Sequence, residues 1–201
     1  MIKGFIAGLI IANGFEWIAH KYVLHGTHRV GQPRFSPVPD SMKSHWEHHR
    51  EVRKTDFSDY GYVEGIRNWR TRNEIMSLAV TVGVFGPLFY PVSKGMSLAV
   101  FYSAANYYYV HRRAHLEPEW AKKTIPWHYD HHMNSNQDAN WCVTKPWFDY
   151  ILGTRVISSL DLQEQNPIGI RLPKMLSKWL NRSIHQIFPA QWVNETTKIA
   201  E

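Results

Sequence analysis

The sequence predicts an all-α integral membrane protein, with about three spans carrying a histidine-rich helical domain on the cytosolic side. Three observations predict it. Residues 4–19, 75–92 and 96–110 are apolar stretches with at most one charge each. Positive charge gathers at one end of each stretch. Ten of the 12 histidines fall into four tight groups, two beside those ends and two in the polar segments that follow.

The first stretch, GFIAGLIIANGFEWIA, holds only Glu16 and runs straight into His20 and Lys21. No small-residue cleavage site follows it, so it reads as retained rather than as a signal peptide. The second, IMSLAVTVGVFGPLFYPV, and the third, MSLAVFYSAANYYYV, are uncharged and separated by Ser93-Lys94-Gly95. A span takes about 20 residues, so the first and third need flanking residues to reach it. Lys21 and Arg29 follow the first stretch, Arg67, Arg70 and Arg72 precede the second, and Arg112 and Arg113 follow the third. By the positive-inside rule those ends face the cytosol, leaving Lys3 and Lys94 on the other side. The alternative for 75–110 is a buried helix pair in a soluble protein. In the tail, Leu172, Met175, Leu176, Trp179, Leu180, Ile184, Ile187 and Phe188 recur at helical spacing, with Lys174, Lys178 and Arg182 off the stripe. That pattern suits a basic amphipathic helix on a membrane interface or an ordinary core-facing helix.

Composition sets the outer bounds. One cysteine in 201 residues excludes an internal disulfide framework and a Cys-rich zinc fold. A net charge of +6 and a pI near 9.4 admit nucleic acid, an anionic membrane surface or an acidic redox partner. Topology already accounts for the positive charge and no recognition motif appears, so no nucleic-acid partner is expected. The mean hydropathy of −0.39 excludes a wholly membrane-buried chain but allows a few spans attached to a polar domain.

The histidine groups are His20 and His25 (H-x4-H), His45, His48 and His49 (HWEHH), His111 and His115 (HRRAH), and His128, His131 and His132 (HYDHH). Spacings of three and four put imidazoles on one face of a helix, near enough to share a metal. The spacing of five in the first pair suits a helix that loosens past its membrane end, with Gly26 as the stop. The span geometry delivers all four groups to one side of the membrane. Ten imidazoles exceed one ion's capacity and suit two, and imidazole alone accommodates iron, zinc, copper or nickel. His28 and His185 stand outside the groups and read as surface imidazoles. Among the carboxylates, Glu16 and Asp149 are the candidates to orient ligand rings through the second nitrogen. Asp130 and Asp138 read as solvated or capping groups. Glu47 lies inside HWEHH, but the HExxH spacing of metalloproteases is absent. Trp17, Tyr107, Tyr108, Tyr109, Trp127 and Trp141 read as an interfacial belt or the lining of a lipid entrance.

At these residues the chain resembles the fatty acid hydroxylase superfamily, the membrane-bound histidine-rich oxygenases, over roughly residues 10–155. The order H-x4-H, HxxHH, H-x3-H, HxxHH is most similar to the fatty acid 2-hydroxylase branch. The segment NWCVTKPWFDYILGTR resembles that family's closing motif. The resemblance implies a hydroxylase-like membrane and catalytic domain over 1–155 and a tail with the amphipathic helix over 156–201. It implies two iron ions, with zinc a replacement in purified protein, held by the ten grouped histidines, with no catalytic residue beyond those ligands. The implied reaction is hydroxylation of a lipid acyl chain with dioxygen, next to the carboxyl or amide end. A sterol or carotenoid hydroxylase, a lipid desaturase and a non-redox zinc protein are the alternatives. Family members often carry a fused cytochrome b5 domain and nothing here resembles one, so electrons are expected from a separate carrier such as cytochrome b5 or ferredoxin. The implied location is the endoplasmic reticulum or a bacterial inner membrane.

Overall fold

A computed structural model describes residues 1–26, 40–164, 167–168 and 172–193. His28 and Arg29 lie outside the described residues. The described residues are mostly helical, as the sequence predicts. In order come α1 (Ile2–Ile18), which continues into a π-helical turn at Ala19–Leu24, α2 (Asp40–Lys54), α3 (Gly61–Glu64), α4 (Trp69–Phe89), α5 (Lys94–Leu116), α6 (Pro118–Thr124), α7 (Pro126–Met133), α8 (Trp147–Ile151) and α9 (Lys174–Ile187). Two short strands, β1 (Val156–Ile157) and β2 (Gln191–Trp192), pair in parallel with Val156 opposite Gln191.

Helices α1, α4 and α5 form a bundle. The α4–α5 turn is closed by the Ser93 hydroxyl, which accepts from the Met96 amide, while the Ser97 hydroxyl donates to the Gly86 carbonyl at 2.8 Å. Helix α1 lies so close to α5 that side chains are excluded at the crossing. A Cβ on Gly8 would stand 2.6 Å from that of Ala99, and one on Gly95 would strike the Met1 carbonyl. Gly95 thus sits beside the start of α1, and His20 and His111, past the end of α1 and near the end of α5, line the same cavity, so the two helices run parallel. Lys21, Arg67, Arg70, Arg72, Arg112 and Arg113 therefore gather at the end of the bundle that carries the histidines, with Lys3 and Lys94 at the other.

Among the described residues, one helix, Ile2–Leu24 at 23 residues, is long and apolar enough to cross a membrane. Helices α4 and α5, at 21 and 23 residues, have the length. Each includes its charged turn, however: Arg70, Arg72 and Glu74 at the start of α4, Arg112 and Arg113 at the end of α5. On length and composition, one of the three expected spans qualifies among the described residues. The bundle nonetheless exposes apolar side chains. Met76, Val80, Val84 and Leu88 form an open stripe at intervals of four along α4, the first two at the opening between α4 and α1, with Ile6 and Ile10 on α1 and Leu98 and Phe101 on α5.

At the histidine end, α2, α6 and α7 close under the bundle. The apolar cores there are small: Val52, Phe57, Ala114, Ala121, Ile125 and Trp127 in one, Trp17, Trp141 and Cys142 in the other. Between them lie the ten grouped histidines, none more than 8% exposed. Trp17, Trp127 and Trp141 are therefore core residues rather than belt or entrance. In α9 the opposite holds: no residue is buried, and Met175, Trp179 and Ile187 are 87%, 64% and 68% exposed. The core-facing alternative for this helix is not realised over its length, although His185 packs edge-on against the Tyr150 ring.

Candidate metal centre

The first pair is brought together by the π-helical turn. There the His25 amide donates to the His20 carbonyl at 3.0 Å, five residues back, so positions five apart stack on one face. Gly26 follows with φ +74°, a left-handed turn that suits glycine. The expected loosening and stop are both present.

Each HxxHH box divides between two sites, although its spacing puts the imidazoles near enough to share one metal. Residues turn by about 100° per step in an α-helix, so the first and last histidines of a box, four apart, nearly align. The middle histidine points away from the last. On α2, His45 and His49 go one way and His48 the other; on α7, His128 and His132 go one way and His131 the other. The result is two buried groups whose ligand atoms each lie within 4.8 Å of one another: His20, His25, His45, His49 and His131, and His48, His111, His115 and His132. His128 adjoins the second group, its Nε2 3.1 Å from that of His115. Each group thus receives two helical pairs and one single histidine.

In the first group the Nε2 atoms converge. His45 Nε2 stands 3.1 Å from that of His20, 3.0 Å from that of His25 and 3.2 Å from that of His49. His131 Nε2 is 3.2 Å from those of His25 and His49. Two of these rings direct Nδ1 at a carbonyl, His20 at Trp141 and His131 at Ala139. A carbonyl only accepts, so Nδ1 carries the proton and the Nε2 lone pairs point inward at one another. Nitrogens held about 2.0–2.1 Å from a shared ion stand roughly 3 Å apart, which is the spacing found. The second group repeats the pattern: His48 and His115 Nε2 are 3.1 Å apart, with His115 Nδ1 on the Phe57 carbonyl. Buried ring nitrogens without a partner include Nδ1 of His25 and His49, Nε2 of His111 and both nitrogens of His132. Buried polar atoms are ordinarily satisfied, and a cation in each group would satisfy the inward ones. The two groups can each hold a metal ion.

Burial also keeps the rings in the form that binds metal. It pushes His45, His49, His128 and His132 well below the ordinary imidazole range, helped by neighbouring rings that would repel a second positive charge. His131 is pushed down to about 4 by burial, opposed in part by its bond to Ala139. These rings are neutral at pH 7.

The carboxylates that touch the rings are not the expected ones. Glu16 accepts from the Val143 and Thr144 amides and the Thr144 hydroxyl, and so ties α1 to the loop after α7. Asp149 caps the Trp141 and Cys142 amides and the Thr154 hydroxyl, and reaches His20 only indirectly, by fixing the peptide whose carbonyl holds it. Asp130, expected as a solvated or capping group, is buried against Arg155 at 2.8 Å. Asp138 is exposed and Glu47 half-buried. The groups that do engage histidines are Asp59, 2.8 Å from His48 Nδ1, and Glu74, 2.8 Å from His111 Nδ1. Asp59 also accepts from Arg70 at 2.8 Å and from the Gly61 amide. Burial alone would raise its carboxyl, but His48 and Arg70 outweigh burial and hold it well below the usual carboxylate range. Glu74 had one visible signal: it is the single acid between Arg72 and the uncharged stretch that follows. Asp59 lies in an irregular segment and had none.

A cavity of about 540 Å³ runs between α1, α4 and α5. Its lining is apolar along the bundle, with Gly8, Ala12, Phe89, Met96 and Val100, and ends on His20 and His45 of the first group and His48 and His111 of the second. Tyr107 also lines it, whereas Tyr109 faces outward. Comparison with protein-family models, with curated proteins and with solved structures finds no match to the chain.

Proposed function

We propose that this protein is a membrane-embedded oxygenase that hydroxylates a lipid acyl chain at a two-iron centre held by its two histidine groups. The observation that carries the reading is the cavity, apolar along the bundle and ended by imidazoles of both groups. From Gly8 to His20 it extends twelve residues of helix, about 18 Å at 1.5 Å per residue, and its volume falls in the ordinary range for small-molecule sites. An acyl chain entering between α1, α4 and α5 would leave the carbons near its polar end beside the histidines. Two irons would supply reductive activation of dioxygen and delivery of one oxygen atom to a C–H bond. The protein's own part is to hold ten imidazoles in place, to orient His48 and His111 through Asp59 and Glu74, and to keep water from the chain with the apolar lining. Electrons would come from a separate carrier such as cytochrome b5 or ferredoxin.

Membrane residence accounts for the exposed stripe on α4 and for the 23-residue apolar helix. The open apolar face of α9, beside Lys174, Lys178 and Arg182, suits the interface on the same side as the histidines. The orientation that follows is the basic, histidine-bearing end toward the cytosol.

Comparative lipidomics of cells with and without the protein tests the reading. Hydroxylated acyl chains are expected, absent when His131→Ala replaces the native chain. New double bonds without hydroxyl groups would make it a desaturase. Unchanged lipids, with zinc and no iron in protein purified under reducing, iron-replete conditions, would make it a non-redox metalloprotein.

A further inference from the structure

The two histidine groups differ in what stands behind the rings. In the second, two carboxylates accept from ligand rings: Asp59 from His48 Nδ1 and Glu74 from His111 Nδ1, each at 2.8 Å. Both carboxylates are fixed from their other sides. Asp59 is held by Arg70 and the Gly61 amide, and Glu74 accepts from the Tyr62 hydroxyl. In the first group the acceptors are neutral carbonyls, of Trp141 behind His20 and Ala139 behind His131. Both groups also contain rings whose Nδ1 has no partner among the described residues, His25 and His49 in the first and His128 and His132 in the second. His115 of the second rests on the Phe57 carbonyl, so the contrast lies in the two carboxylates. Among the described residues, no carboxylate is hydrogen-bonded to a ring of the first group.

This difference has a definite chemical sense. A carboxylate that accepts the Nδ1 proton pushes electron density toward Nε2 and makes it a stronger donor, and it adds a full negative charge a few ångströms from the ion. A carbonyl fixes the tautomer and the ring plane with only a dipole. At Asp59 the Arg70 charge offsets part of that field, but it also holds the carboxylate in the ionised form that accepts from His48.

We infer that the two metal positions are unequal, the group of His48, His111, His115 and His132 binding its ion first and more tightly, with Asp59 and Glu74 as the positioning residues that make it so. The inference rests on the two-metal reading but not on the reaction or the substrate.

The full chain, purified in detergent and stripped with chelator, is titrated with cobalt(II) alone and followed by its visible absorption. Two steps are expected. His131→Ala or His49→Ala should remove the weaker one, assigning it to the first group. In Asp59→Asn and in Glu74→Gln the tighter step should weaken by about 10- to 100-fold, the usual effect of removing such a partner, while the weaker step stays where it was. Two steps of equal affinity in the unaltered chain would overturn the inference. So would a loss confined to the first group's step, or a loss of both steps together, which would assign the carboxylates to the fold rather than to one site. Failure of the unaltered chain to bind cobalt at all would remove the two-metal reading, and the inference with it.

Discussion

Arg155 is 1% exposed and lies between two carboxylates, Asp130 at 2.8 Å and Glu164 at 2.7 Å. It also donates to Asn140 Oδ1 and the Leu162 carbonyl, so one cation fastens α7, the loop after it and the start of the tail together. Arg155→Met would leave two buried negative charges uncompensated, which should cost about 3–5 kcal/mol. Chemical denaturation checks this, and a loss below about 1 kcal/mol would contradict the packing described. The buried imidazoles make a second residue-level prediction. His131 titrates in the fold near pH 4, whereas an unfolded histidine does so near 6.5. Between those values the unfolded chain binds a proton that the folded one refuses, so the metal-free protein should lose stability as pH falls from about 6.5 toward 4. Thermal unfolding across that window tests it; a melting temperature that is flat or rises on acidification would be inconsistent with neutral buried rings. At this scale sequence informs unevenly. All ten grouped histidines stood out by spacing, whereas Asp59, Glu74 and Arg155 act through partners 9–37 residues away, a relation no local pattern encodes.

The π-helical turn shows how an element can be read in advance. H-x4-H does not fit a regular α-helix, and a stacked pair five apart requires i→i+5 bonding, which the His25 amide makes. Deleting Val23 should therefore turn H-x4-H into the H-x3-H spacing already used on α5, and protein so altered should still bind two metals per chain. Inserting one alanine after Val23 should swing His25 about 100° away and lower the first group's occupancy. Metal content by elemental analysis separates the two, and loss on deletion would show that the turn does more than set the spacing. The HxxHH boxes show the limit. Their helical spacing was evident, but a shared face does not say that two sites lie on either side of it. That division appears only when α2 and α7 are packed against α1 and α5. The spans show the same limit from the other side. Apolar runs were visible in 75–92 and 96–110, yet the helices that contain them extend into charged turns, and the runs alone do not show where a helix ends.

Taken whole, the molecule is a three-helix apolar bundle standing on a floor of buried imidazoles, with a cavity joining the two. If that cavity receives an acyl chain, Ala12→Trp should fill it without touching a histidine. Metal content should stay at two per chain while product falls or shifts to shorter chains. Unchanged product length and yield would place the substrate elsewhere. The proposed reaction consumes dioxygen to hydroxylate lipid at this site. Its most direct test is growth of cells expressing the protein under ¹⁸O₂, followed by mass spectrometry of their acyl chains. The expected result is hydroxylated chains carrying one ¹⁸O atom, absent from cells expressing His48→Ala. Finding no labelled lipid from protein that holds iron in both groups and is supplied with reductant would contradict it.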